Sequence, residues 1–398
     1  MSLTLHLKTG RDIPILRGHP WIMSGAIARQ EGDAAADEAD VLAASGSFLG
    51  RATLHPASEI RARIFDTRPE ARLDEKGILE RLTLAKERRA HWMAAGPDGA
   101  ERLVFSESDG LPGLILDRFA DTLVFQLLTA PWERRRTALL EALVAVFRPS
   151  TIWERSDADV RRHEGLEPRR GLAWGAPLAG PIPFREGDWQ FLADVENGHK
   201  TGFYLDQSVS RHALSTWVRR LGSPRVLNVF AYTDTFGLIA LAAGASSVLS
   251  MDSSAPARDM ASRMQALNPA CESARWEYRI ADAFAALRQL RDAARQFDLI
   301  ILDPPRLVNR KSKVQEGLRA YKDINLLACK LLAPGGILFT FSCSGLVDRT
   351  LFGKVIEGAA RDARRPLQFL ADLGQPPDHP RKPGFPESEY LKGFIAGV

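Results

Sequence analysis

Two short stretches carry residues whose types and spacing could do chemistry. Asp303-Pro304-Pro305-Arg306 follows the apolar run FDLIIL, and Cys343 sits between two serines directly after the apolar run GGILFTF. Two consecutive prolines hold an extended backbone and remove two amide donors, so such a turn presents a carboxylate and carbonyl oxygens at fixed positions. Those groups suit the amino group and ring N–H of a nucleobase. A thiolate that adds to carbon 6 of a pyrimidine makes carbon 5 enamine-like, able to attack an electrophilic methyl group. A cysteine just past a strand's carboxyl end could be that nucleophile, and it could equally be packing. Cys271 and Cys329 read as packing residues.

The elements that must position these groups alternate between strand and helix from about residue 186. RVLNVFAY, SSVLSMD, EYRIAD, FDLIILD and GGILFTFS are strand-length apolar runs, separated by segments with helical periodicity. That alternation predicts a mainly parallel, doubly wound α/β sheet. Its ligands bind at the carboxyl ends of the strands, where Asp303 and Cys343 should lie side by side. Three of the runs close on an acid: Asp252, Asp282 and Asp303. An acid ending the second strand can accept both ribose hydroxyls of an adenosine-containing cofactor, NAD or S-adenosylmethionine. Each acid is also compatible with a helix N-cap. The loop after the first strand, FAYTDTFG, has a single late glycine and no G-x-G-x-x-G spacing, which counts against a pyrophosphate-bearing dinucleotide.

Upstream, short β-like runs (SLTLHLK, WIMSGAI, SFLGRATL, IRARIFD) with many turn residues predict a small β-barrel-like module, with EGDAAADEADV as a polar loop. A helix is predicted through ILERLTLAKERRAHWMAA, then strands LVFSES, LILDRF and TLVFQLL, a helix from Trp132 to about Phe147 and the strand TIWER. This is a central α+β unit. The Pro- and Gly-rich GLAWGAPLAGPIPF reads as a boundary or loop. The expected division is therefore residues 1–72, 73–185 and 186–398.

Bulk properties narrow the class. The chain of 398 residues is 45% hydrophobic and 26% charged, with net charge +4 and pI about 9.0. These values fit a globular protein with real cores and a nucleic-acid partner. Arginine clusters at 134–136, 161–162 and 169–170 are candidate phosphate contacts. Three scattered cysteines make neither a disulfide framework nor a zinc site. No membrane span and no leader are evident in the sequence, so a cytoplasmic location is expected.

Over essentially its whole length the chain resembles the RlmI-type 23S rRNA cytosine-C5 methyltransferases. The resemblance is carried by RGHPWIMSGAI, SESDGLPGLILDRF, ERSDADVRRHEGL, NGHKTGFYLDQ, RVLNVFAYT, FDLIILDPPR, AYKDINLLA, GGILFTFSCSGL, PPDHP and YLKGF, in that order. It implies an N-terminal PUA RNA-binding domain, a central α+β domain and a C-terminal Rossmann-like class I methyltransferase domain. It further implies S-adenosylmethionine as donor, 23S rRNA as partner and Cys343 as nucleophile. Asp303 would contact the target base or the donor, Asp252 the ribose, and Asp282 would lie near the adenine. Gln207, Asn228, Phe230, Tyr232 and Thr233 would line the donor site. Asp378, His379 and Glu387 are candidates for the general base, and monomer and homodimer both stay open. One departure stands out: Asp234 and Thr235 occupy positions where the family commonly has glycine, so their side chains are expected to face the donor's methionine end or to displace the loop. Methylation of a base nitrogen, and an RNA-binding factor without catalysis, are the other readings; an NAD-dependent oxidoreductase is disfavoured by the missing glycine fingerprint.

Overall fold

A computed structural model describes residues 3–93 and 95–398. The chain divides into two compact units. One contains residues 1–186, 192–205 and 377–388; the other contains 187–191, 206–376 and 389–398.

Among the described residues, two apolar cores of the first unit lie against its sheets. A six-stranded sheet runs Trp21–Met23, Ile60–Asp66, Phe48–Leu54, Glu38–Leu42, Leu3–Leu7, Ile27–Glu31 in spatial order. Alternating inward residues Leu3, Leu5 and Leu7 pack with Val41, Ala52 and Ile64. Glu38–Leu42 is a correction to the predicted polar loop: alternation from Glu38 onward buries Ala39 and Val41. The second core lies under a five-stranded sheet, Arg169–Gly175, Thr151–Ser156, Thr122–Leu127, Leu114–Phe119, Ala100–Phe105. Helices Glu75–Trp92 and Pro131–Phe147 contribute Ile78, Leu82, Trp132 and Leu139 to it. The stretch read as a loop before residue 186 contains two strands, Arg169–Gly175 and Ile182–Glu186. Pairing of Arg169–Gly175 with Thr151–Ser156 overrides its Pro- and Gly-rich surroundings.

The second unit is a seven-stranded sheet. Numbered within this unit, its strands are β1 (Arg225–Val229), β2 (Ser247–Asp252), β3 (Trp276–Ile280), β4 (Phe297–Leu302), β5 (Leu332–Ser342), β6 (Gln368–Gly374) and β7 (Lys392–Gly397), in spatial order β3-β2-β1-β4-β5-β7-β6. Its helices are α1 (Ser208–Leu221), α2 (Thr235–Ala242), α3 (Ala255–Leu267), α4 (Ala283–Asp292), α5 (Val314–Leu331) and α6 (Arg349–Ala363). Strands β1 to β5 pair in parallel, and β1, β2, β4 and β5 are the apolar, largely buried runs expected when helices cover both faces, whereas β3 (WEYRI) is an edge strand with no fully buried residue. Buried Leu227, Val229, Met251, Ile300, Leu302 and Leu338 form the core with Leu327, Leu331 and Phe352. Ser254, Asp282 and Asp348 cap α3, α4 and α6 by accepting from the amides of Ala257, Ala285 and Leu351.

Sequence patterning does not disclose β6 and β7. Strand β7 is inserted antiparallel between β5 and β6, and β6 is an edge strand with five consecutive exposed residues and no alternation.

Buried charge pairs brace the first unit, and Arg89 with Asp109 is the most deeply buried of those described. Arg89 is fully buried, with Nη1 and Nη2 donating to Asp109 at 3.0 and 2.6 Å and Nε donating to the Arg102 carbonyl. Asp109→Ala strands that guanidinium without its counter-charge. It should cost about 3–5 kcal/mol, read as earlier unfolding of this unit in urea; a loss below about 1 kcal/mol would contradict the assignment.

Candidate active site

The register of the parallel strands levels their carboxyl ends. Val229 of β1 lies opposite Met251 of β2 and Leu302 of β4, and Leu302 lies opposite Thr340 of β5. Asp252, the loop after β1, the Asp303 turn and Cys343 therefore share one edge.

At the β1 end the loop bends through three non-glycine residues in the left-handed region: Phe230 (φ +62°), Tyr232 (φ +47°) and Asp234 (φ +60°). Each such residue costs roughly 1 kcal/mol. Side chains from β2 and β3 hold the bend. Asp252 Oδ2 accepts from the Tyr232 amide at 2.9 Å, and the Tyr278 hydroxyl donates to the Tyr232 carbonyl at 2.6 Å. Burial pushes the Tyr278 phenol well above its ordinary range, so that hydroxyl stays a donor.

Of the two expectations for Asp234, a side chain toward the donor's methionine end or a displaced loop, the first does not hold: the side chain turns inward. It is fully buried, and its carboxylate accepts from Asn228 Nδ2 (2.7 Å), Ser250 Oγ (2.7 Å) and Trp276 Nε1 (2.6 Å). Burial pushes its pKa up to about 6, against the pull of these donors. Leaving that carboxylate unbonded would be far costlier than the bend, and so it turns under the loop. Thr235 opens α2 and is half-buried.

The structure gathers most of the residues read as a donor site. Asp252 ends β2, and its two oxygens accept from the Tyr232 and Ser254 amides while retaining lone pairs. Gln207 Nε2 donates to Asp303 Oδ2 at 2.9 Å. Gln207 Oε1 and Asn228 Oδ1 are buried acceptors with no hydrogen-bond partner among the described residues. Unpartnered buried acceptors need donors, and the α-ammonium of an amino-acid moiety is such a group; the residues present fit S-adenosylmethionine. Asp282 is exposed and serves as the N-cap of α4.

On the β5 side, Cys343 is half-buried, with Sγ 4.0 Å from the Pro304 carbonyl oxygen. The flanking serines are both fully buried and fix the loop. Tyr321 of α5 bonds Ser342 Oγ (3.0 Å) and Ser344 Oγ (2.9 Å), and Ser344 Oγ accepts from the Val308 amide at 3.1 Å. That last bond ties the loop after Asp303 to the cysteine loop. Lys392, which sequence reasoning missed, stands opposite Ser342 in the antiparallel β5–β7 pair. It is 2% exposed and donates from Nζ to the Ser344 carbonyl at 2.7 Å. Burial lowers its pKa to about 8, partly offset by attraction to the Cys343 sulfur. The YLKGF motif was visible in the sequence, but without β7 there was no reason to bring its lysine to the thiol. Burial pushes the thiols of Cys271 and Cys329 up to about 11, consistent with packing roles.

The residues named as general-base candidates belong to the first unit. Asp378 is 2% exposed, accepts from the Arg102 amide at 2.9 Å and contacts His379 Nδ1 at 2.8 Å; Glu387 lies 3.3 Å from His19 Nε2. The arginine clusters split by role. Arg135 is held by Asp37 and Glu38, Arg136 by Glu154 and Arg161 by Glu133, whereas Arg134, Arg162 and Arg169 are at least half exposed.

A sheet ordered 3-2-1-4-5-7-6 with the seventh strand antiparallel is the Rossmann-like fold of class I S-adenosylmethionine-dependent methyltransferases, here preceded by a PUA-like domain. A family model described as S-adenosylmethionine-dependent methyltransferase matches residues 167–388, and a PUA-like domain model matches residues 5–67. Proteins named ribosomal RNA large subunit methyltransferase I are similar over the full length of both chains, at 45% identity in Cronobacter sakazakii and 44% in Escherichia coli. Two solved structures cover both chains completely: a Streptococcus mutans protein assigned as a SAM-dependent methyltransferase (TM-score 0.83, 20% identity), and SMU.776, assigned as a methyltransferase and complexed with S-adenosylhomocysteine (TM-score 0.85, 19% identity). At that identity they speak to the fold. The chain belongs to the ribosomal RNA large subunit methyltransferase I family, and its methyl donor is S-adenosylmethionine. No helix among the described residues is long and apolar enough to cross a membrane.

Differential alkylation tests the thiol assignments. At neutral pH iodoacetamide should label Cys343 ahead of Cys271 and Cys329. Lys392→Met removes a cation that interacts with the Cys343 sulfur and should slow that labelling by about threefold to tenfold. Peptide mass spectrometry reads the order; faster labelling of Cys329 would refute it.

Proposed function

We propose that the protein methylates carbon 5 of a cytosine in 23S rRNA, through a covalent bond between Cys343 and carbon 6 of the base. The observation that carries this reading is the half-buried Cys343 thiol 4.0 Å from the Pro304 carbonyl, at the carboxyl edge where Asp303 also lies. The relatives' name supplies the large-subunit rRNA.

Asp252, Gln207, Asn228 and the Phe230–Thr233 loop hold the donor. Bound there, it supplies an electrophilic methyl group. The Asp303-Pro304 turn receives the cytosine's polar edge. Lys392, behind the cysteine loop, favours the thiolate. That thiolate adds to carbon 6, carbon 5 takes the methyl group as its bond to the sulfonium sulfur breaks and S-adenosylhomocysteine leaves, a base removes the carbon 5 proton, and the bond between carbon 6 and the Cys343 sulfur breaks to return the thiolate. The target nucleotide leaves its stack to reach the edge, at a cost of a few kcal/mol. We read residues 1–72 as the PUA-like RNA-binding domain, 73–185 as the central domain and 186–398 as the methyltransferase domain. The outward arginines Arg134, Arg162 and Arg169 suit backbone contacts with RNA.

The test is nucleoside analysis of unmodified 23S rRNA after incubation with protein and S-adenosylmethionine. Wild type should form 5-methylcytosine; Cys343→Ala should lose at least roughly a thousandfold in rate while still binding S-adenosylhomocysteine. Full activity in the variant rules out the covalent route. An N-methylated base as product rules out the carbon 5 assignment.

A further inference from the structure

The loop after β1 poses a physical problem that the family resemblance does not solve. Phe230, Tyr232 and Asp234 adopt positive φ in a stretch without glycine until Gly237. Backbone freedom therefore does not shape this loop. Gly237 itself serves a different need: a Cβ there would lie 2.2 Å from Asp234 Oδ1, so its absence opens the space into which the carboxylate turns. Three strands then converge on that carboxylate, Asn228 from β1, Ser250 from β2 and Trp276 from β3. Each partner presents a donor, and the loop is thereby fastened from below at Asp234 while Tyr278 and Asp252 fasten it at Tyr232.

We propose that Asp234 is a positioning residue for the donor site: its buried carboxylate, bonded to Asn228, Ser250 and Trp276, holds the Phe230–Asp234 loop in the donor-accepting shape that glycine would otherwise permit. The proposal rests on the reading that the donor binds against this loop and Asp252. A preformed loop spares the ordering cost at binding, so loosening the pin should appear as weaker donor affinity. Asp234 and Trp276 form one functional unit and should be strongly non-additive.

Calorimetry with S-adenosylhomocysteine on the full chain separates these points. Trp276→Phe keeps an aromatic ring and removes the Nε1 donor; Ser250→Ala removes a second donor and leaves the backbone alone. Each should weaken binding by roughly tenfold, the loss expected for one bond to a charged acceptor, measured at a temperature where a cooperative melt shows the variant fully folded, since stripping a donor from a buried carboxylate also lowers the melting temperature. In activity assays the KM for S-adenosylmethionine should rise while kcat is retained. Asp234→Gly supplies the backbone freedom directly, and in that background Trp276→Phe should change affinity by less than about twofold. Asp252→Ala controls for the site itself: normal binding there overturns the donor-site reading. Loss of binding in Asp252→Ala together with unchanged affinity in both Trp276→Phe and Ser250→Ala overturns the pin alone. Equal losses from Trp276→Phe in the wild-type and Asp234→Gly backgrounds also overturn it.

Discussion

Parallel pairing of β1, β2, β4 and β5 is the constraint on which the rest of the second unit depends. Parallel neighbours must be joined by crossovers of one hand, which return every strand to the same starting side. All carboxyl ends then meet at one edge. Residues as far apart in the chain as Asp252, Asp303 and Cys343 come to one edge through the register Val229–Met251, Val229–Leu302 and Leu302–Thr340. The antiparallel β7 completes the edge from the far end of the chain by setting Lys392 opposite Ser342.

The same strands change chemistry along their length. Their bodies are apolar on both faces, whereas buried polar side chains gather toward the carboxyl ends: Asn228 in β1, Ser250 in β2, Thr340 and Ser342 in β5. Each has a bonded partner. Thr340 donates to Asn325 of α5, Ser342 donates to Tyr321, and Asn228 and Ser250 meet Asp234. A polar layer with its bonds made is rigid, and a partly satisfied one is costly. Gln207 Oε1 and Asn228 Oδ1 are exceptions to that pattern, buried acceptors with no partner among the described residues.

In the first unit, charge serves construction as much as recognition. Arg89, Arg102 and Arg161 are buried, with carboxylates or carbonyls filling their donor positions: Asp109 for Arg89, Asp117 for Arg102, and Glu133 with the Glu167 carbonyl for Arg161. The mildly basic composition is therefore a poor measure of surface available to RNA, because many cations are internally neutralised. Asp378 and His379 illustrate the same point for carboxylates and histidines. Both are buried among the bonds of this unit. Burial pushes the Asp378 carboxyl up, but His379 and Arg102 outweigh it and hold the group below its ordinary value.

The sequence by itself determined the strands of the parallel sheet, the acids at their ends, the Asp-Pro-Pro turn and the cysteine that follows β5. Those features are local: apolar runs of strand length and their terminal residues can be read in order along the chain. Asp252, Asp303 and Cys343 stood where that reading put them, and the motifs quoted from end to end carried the family. Tertiary structure decided what local patterns cannot encode. Strands β6 and β7 exist through long-range antiparallel pairing, so Lys392 reached Cys343 only once the sheet was assembled. Asp234, expected either to face the donor or to displace its loop, turned inward, because a carboxylate beside three strands finds Asn228, Ser250 and Trp276 only after β1, β2 and β3 lie side by side.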